Sequence, residues 1–109
     1  MQKFCLTLDL KNDPQLIAEY IQYHKNVWPE ILSSIRSSGI TNMEIYCLGT
    51  RLFMIIEADN DFSFEKKTSL DHSNQKVQDW ETLMWKYQQS LPGSKPGEKW
   101  IMMEKIFTL

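Results

Sequence analysis

The stretch NMEIYCLGTRLFMIIEA, Asn42 to Ala58, decides the architecture. Two apolar-rich runs, 42–48 (NMEIYCL) and 51–58 (RLFMIIEA), flank Gly49-Thr50. A gap of that size containing glycine, set between strand-like runs, marks a β-hairpin. Upstream, Lys3 to Leu10 (KFCLTLDL) alternates, with Phe4, Leu6, Leu8 and Leu10 on one side and Cys5, Thr7 and Asp9 on the other. That period of two predicts a strand with unlike faces. Trp100 to Leu109 (WIMMEKIFTL) is predicted as a closing strand.

Helices fill the intervals. Asp13 can cap a helix whose first turn holds Pro14, because that turn needs no amide donor there. Ile17, Tyr20, Ile21 and His24 then recur at helical spacing. Pro29 bends the path or starts a new helix, and Ile31, Leu32 and Ile35 carry the stripe on to Gly39, a natural C-terminal stop. Asp59 to Phe64 opens another helical region, with Asp61 or Ser63 as cap. Asn74 to Ser90 predicts one long helix with a stripe of Val77, Trp80, Leu83, Met84 and Tyr87, and Leu91 to Gly97 predicts a loop.

The resulting order, β-α-β-β-α-β over one domain spanning 1–109, is the ferredoxin-like pattern of the α+β class. It implies an antiparallel sheet with helices on one face. The opposite face, rich in large apolar side chains, would be closed by a second sheet, giving a dimeric α+β barrel. A chain of 109 residues is small enough for such leftover surface to fall to a partner subunit.

Composition narrows the function classes. The net charge is −2 and the lysines are scattered, so nucleic acid is not an expected partner. Cys5 and Cys47 lie inside apolar runs without metal spacing, and read as buried, reduced thiols of an intracellular protein. No apolar run is long enough for a membrane span, and the N-terminal stretch carries no cleavage signal; the expected location is the cytoplasm, with no membrane partner. There is no glycine-rich phosphate loop, no CxxC and no HExxH, and His24 and His72 are the sole histidines. Neither a cofactor, a metal nor a covalent intermediate finds support in the sequence.

Tyr20 and His24 carry the candidate chemistry. Four residues apart, they share a helix face. An imidazole titrates near neutrality and can pass a proton between two oxygens, while a tyrosine hydroxyl can orient a substrate. The competing reading is that both pack at a helix edge with their polar tips in water. Trp80 suits the C–H face of a sugar ring as well as a core, while Trp28 and Trp100 read as core packing. Tyr46 and Tyr87 read as packing between elements, Glu30 as a charge favoured by a helix N-terminus, His72 as a loop residue, and Lys66-Lys67 as solvated surface.

The pattern Tyr20, His24, Trp28-Pro29-Glu30 resembles the signature of the L-rhamnose mutarotases. The resemblance continues through Gly39 and Asn42, Ile45-Tyr46, Leu52-Phe53, Val77-Gln78-x-Trp80 and Phe107-x-Leu109, and so covers nearly the whole chain. It implies a ferredoxin-like domain dimerising through its sheets. It also implies a cofactor-free isomerase that interconverts the α and β anomers of a 6-deoxy hexose. By the same resemblance His24 is the proton donor, Tyr20 binds substrate, and Trp80 is the first of two sugar-stacking tryptophans. Three departures stand out. Glu81 occupies the place of the second tryptophan, Met43 that of a second sugar-contacting tyrosine, and the segment from Glu57 to Trp80 is longer. Trp85 is a candidate replacement aromatic. These differences, and the run WETLMWKYQQSLPGSKPGEKW, are more similar to relatives thought to act on L-fucose. Two other classes remain open: a monooxygenase or haem-binding enzyme on the same dimeric barrel, and a non-catalytic sugar-binding module.

Overall fold

The computed structural model describes residues 1–109. Its elements are β1 (Gln2–Leu10), α1 (Pro14–His24), α2 (Pro29–Ser37), β2 (Ile40–Leu48), β3 (Arg51–Ala58), α3 (Phe64–His72), α4 (Gln75–Trp85), β4 (Gln88–Gln89) and β5 (Ile101–Met102). The architecture is the expected ferredoxin-like α+β one, an antiparallel sheet in the order β2-β3-β1-β4, with β5 also on β1.

Both helical segments divide in two, each piece with its own start signal. Asp13 caps α1, its Oδ1 accepting from the amides of Gln15 (2.9 Å) and Leu16 (3.2 Å), and Pro14 follows as the first helical residue. Pro29 restarts the chain as α2 with Glu30 in its first turn. Ser63 caps α3 and Asn74 caps α4, so the long helix expected from Asn74 begins one residue later. Gly39 ends α2 with φ of 101°. A Cβ there would lie 2.9 Å from Asp59 Oδ2, so the position demands glycine twice over, for its backbone conformation and for space.

β1 is the organising strand. It pairs with β3 along its whole length, from Gln2↔Ala58 to Asp9↔Arg51. Its other edge holds β4 at Asp9 and Leu10, and β5 at Leu6 and Thr7. β4 and β5 are thus one edge strand interrupted by an excursion, Ser90 to Trp100. The sequence reading placed a helix through Ser90 and a strand over all of Trp100–Leu109. In the structure α4 stops at Trp85 and only Ile101–Met102 pair as strand. On this edge of β1 the pairing covers Asp9–Leu10 and Leu6–Thr7 and ends with the Met103 amide donating to the Cys5 carbonyl at 2.7 Å; from Glu104 on the chain leaves the sheet, although β1 itself continues to Gln2.

The helices cover one face only. On the covered face the buried residues form two clusters. One joins Leu10, Tyr20, Leu52, Trp80, Met84 and Tyr87. The other joins Leu6, Ile40, Met54, Ile56, Ala58 and Phe62. Ile35, Ile45 and Trp100 pack against both. On the bare face Tyr46, Phe53 and Ile55 lie side by side, and Tyr46 and Leu48 are 56% and 84% exposed. Cys47 is exposed and Cys5 half-buried; both are free thiols. The expectation that both are buried fails because Cys47 stands at the hairpin end of the edge strand β2. Lys67, expected on solvated surface, is half-buried and pairs with Asp71 at 2.6 Å. His72 is the last residue of α3 rather than a loop residue. No helix is long and apolar enough to cross a membrane.

Leu52 is 1% exposed and lies opposite Leu8 in the middle of the sheet. Truncating it leaves a cavity as well as removing apolar contact, so Leu52→Ala should cost about 3 kcal/mol in urea unfolding with an unchanged m-value. A loss below about 1 kcal/mol would show that this position collapses freely and is not central to the core.

Candidate active site

The two core clusters do not meet fully, and a cavity of about 800 Å³ occupies the seam between helices and sheet. Leu6, Met54 and Ile56 form its floor, and most of the lining is hydrophobic. Tyr20, His24, Trp80, Glu81 and Met84 reach it from the helices, and Met43 from β2. The excursion between β4 and β5 contributes Gly97, Lys99 and Trp100. The cavity is partly open to solvent.

The three residues singled out by sequence, Tyr20, His24 and Trp80, come together here. The rings of Tyr20 and His24 lie 4.4 Å apart, the spacing of four bringing them onto one face of α1. Trp80 stands edge-on to His24 at 5.8 Å and to Trp28 at 5.1 Å. Pro29 lets this happen: α1 ends at His24, the chain turns, and Trp28 packs on Trp80 in the middle of α4 before α2 begins. Trp80 is therefore both core and cavity wall, which merges the two readings of its role.

The electrostatics of His24 follow from its surroundings. Its Nδ1 lies 2.8 Å from the Tyr20 carbonyl oxygen. A carbonyl only accepts, so Nδ1 carries a proton and the neutral ring keeps its lone pair on Nε2. Burial pushes the imidazole pKa below its ordinary 6.5, against the smaller opposing pull of that carbonyl. At neutral pH the ring is an uncharged base. Tyr20 is 3% exposed, and burial pushes its hydroxyl up to about 12, outweighing the lowering effect of the Gln88 side chain. It stays protonated, a donor rather than a base. The Tyr20 hydroxyl is thus held inside the protein by Gln88 rather than standing in water, while His24 is half-buried with only its Nδ1 held by a protein atom.

Gln88 escaped the sequence reading. Its Nε2 donates to the Tyr20 hydroxyl at 3.2 Å from a position 68 residues away in the chain. It fell inside a stretch that looked helical, and no local spacing links it to Tyr20. Lys99 was also missed. Its Nζ lies 3.3 Å from Glu81 Oε2 and 4.7 Å from the centre of the Trp85 ring. Met43 and Glu81 do stand at the cavity, in keeping with the departures noted above. Trp85 does not line it and instead lies beneath Lys99, so it is no substitute aromatic wall. No cluster of three or more His, Cys, Asp or Glu side chains forms a metal site.

Comparison with known proteins agrees with this picture. The profile of the L-rhamnose mutarotase family matches residues 3–109. An L-fucose mutarotase of Xanthomonas campestris pv. campestris is 42% identical over 111 residues, covering 100% of this chain and 89% of that protein. A UPF0734 protein of Dictyostelium discoideum is 42% identical over 115 residues, covering 99% of this chain and 90% of that one. Among solved structures, an L-rhamnose mutarotase from Formosa agariphila superposes with a TM-score of 0.73 at 19% identity, over 100% of this chain and 99% of that one. A tetracenomycin F2 cyclase from Streptomyces glaucescens follows, with a TM-score of 0.60 at 14% identity over 100% of this chain and 99% of that one. A dimeric ferredoxin-like protein from an uncultured marine organism has a TM-score of 0.54 at 13% identity, over 97% of this chain and 91% of that one. The structural likenesses speak for the fold, and the profile and the close relatives for the lineage: this chain belongs to the L-rhamnose mutarotase family of carbohydrate isomerases.

Proposed function

We propose that the protein interconverts the α and β anomers of a 6-deoxy hexose, with His24 as the proton-transfer group and L-fucose as the preferred sugar. One observation carries the mechanism: His24, neutral and oriented by the Tyr20 carbonyl, belongs to the wall of a cavity with ample room for a sugar, its Nε2 lone pair uncommitted. The choice of L-fucose over L-rhamnose rests on the relative at 42% identity, together with Met43 and Glu81 at the cavity wall.

The reaction makes no bond to the protein. Nε2 takes the proton of the anomeric hydroxyl, the bond from C1 to the ring oxygen breaks, and the imidazolium returns the proton to that oxygen. Both oxygens are bonded to C1, so one nitrogen serves both without moving far. The open-chain aldehyde rotates about its bond to C2, and the steps reverse on the other face. Tyr20 donates to a hydroxyl and Trp80 covers the apolar face of the sugar. The bare sheet face supports a second element of the proposal, a homodimer closed by two such faces; Tyr46, Phe53 and Ile55 would lose their water together. The same reading places the reaction in the cytoplasm, where Cys5 and Cys47 stay reduced.

Anomer exchange of L-fucose and L-rhamnose, followed by saturation-transfer NMR, tests the enzyme. His24→Ala should lower the protein-dependent rate by roughly 10²–10⁴-fold. An undiminished rate would remove His24 from the mechanism. Binding without any acceleration by the unaltered protein would leave only a sugar-binding module.

The pH dependence has a definite sign. A lowered His24 pKa means the base is lost as pH falls, so kcat/KM should be flat at neutral pH and drop through a midpoint below 6.5. Stability moves the same way. The unfolded chain takes up the proton first, so folding weakens as pH falls from about 6.5 toward the folded-state value. A rate that rises on acidification would assign His24 the role of an initial acid instead.

Phe53→Lys tests the dimer. Sedimentation should show the mass of two 12.9-kDa chains for the unaltered protein and of one for the variant. A variant that remains paired would place the interface elsewhere.

A further inference from the structure

Gln88 is the polar side chain in the buried interior, only 5% exposed. It opens β4 and lies opposite Leu10, on the face of the sheet that the helices cover. It also lines the cavity. Its Nε2 is used by the Tyr20 hydroxyl, but its Oε1 is shielded from solvent and has no hydrogen-bond partner. Turning the amide over would exchange the orphan rather than remove it. Oε1 would then accept from Tyr20, and Nε2 would be left alone. A buried amide oxygen without a partner destabilises the fold, and nearly all such groups find one. The expected resident of this position is an apolar residue, which would pack against Leu10 and Tyr20 at no such cost.

We infer that Gln88 is a substrate-binding residue: its Oε1 accepts a hydrogen bond from one hydroxyl of the sugar, the same hydroxyl that accepts from Tyr20. This inference rests on the proposal that the cavity takes a sugar, and adds a determinant of which sugar. Three groups then close a ring. Gln88 Nε2 donates to the Tyr20 hydroxyl oxygen, Tyr20 donates to the sugar oxygen, and the sugar hydroxyl donates to Gln88 Oε1. The raised pKa of Tyr20 keeps a proton available for the middle bond. A small shift of the cavity side chains that shield Oε1 lets the ligand reach it, while the amide keeps its orientation so that Nε2 stays on Tyr20. Bonds arranged head to tail in a dry site reinforce one another. A site that loses its partner hydroxyl is left with buried unpaired groups, which is the strongest form of rejection available to a small pocket.

The measurement is titration calorimetry of L-fucose and its three ring monodeoxy derivatives, lacking the hydroxyl at C2, C3 or C4. The unaltered protein is compared with Gln88→Met and Gln88→Asn, and exchange rates are followed in parallel. The unaltered protein should bind one derivative at least tenfold more weakly than the parent sugar. Gln88→Met should weaken binding of the parent by a similar factor and erase the discrimination, with the loss falling on KM rather than kcat. Its Tm should stay within a few degrees, since a buried orphan leaves with the amide. Gln88→Asn keeps an amide but withdraws it by one carbon, and should show the same loss of affinity with a lower Tm, because both ends of the buried amide are then without partners. Unchanged affinity in both variants, or discrimination that survives in them, overturns the role of Gln88 while leaving the mutarotase proposal intact. Binding that depends on Gln88 without accelerated exchange supports this role and removes the enzyme proposal. No binding of any of these sugars by the unaltered protein overturns both.

Discussion

The site depends on a gap. The helix layer stands away from the middle of the sheet, so the apolar residues condense into two clusters instead of one. Ile35, Ile45 and Trp100 bridge them and keep the seam from spreading. A domain of this size has little apolar surface to spare, and a cleft of about 800 Å³, partly open to solvent, takes the place of helix-to-sheet contacts that close packing would have made. That stability is given up where a small polar ligand can be enclosed.

The cavity then governs the acid–base chemistry. An imidazole at the C-terminus of a helix would ordinarily be drawn toward its charged form by the helix dipole. Burial wins for His24, because the walls around it are largely hydrocarbon and aromatic edge. The Tyr20 carbonyl holds the ring by Nδ1 and so decides which nitrogen is free. One backbone bond therefore sets both tautomer and direction. Tyr20 contributes in a second way through its hydroxyl, which Gln88 orients from the neighbouring edge strand. The catalytic face is a small network in which each polar atom is positioned by another.

Much of this was legible in advance because it is local. The alternation of β1, the Gly49-Thr50 hairpin, the Asp13 cap and the restart at Pro29 each follow from residues a few positions apart. So does the meeting of Tyr20 with His24, which needs only one helical turn. Trp80 was reached through its resemblance to a known pattern, and the structure explains why it read equally as core: it is buried and still borders the cavity. Misreadings occurred where an answer depended on a distant neighbour. Cys47 sits in an apolar run yet is exposed, because burial on an edge strand requires another element above it. The closing strand pairs only over Ile101–Met102 although β1 runs on to Gln2, and nothing local in Trp100–Leu109 marks that stop.

By itself, then, the sequence determined the element types, their order, the antiparallel layout and the lineage, since caps, turns and periodicities act over a few residues. Only tertiary structure decided the interruption of the edge strand, the cavity between two clusters, the neutral state of His24 and the presence of Gln88 beside Tyr20. Those depend on which surfaces exclude water from one another, and that is a property of residues brought together across the whole chain.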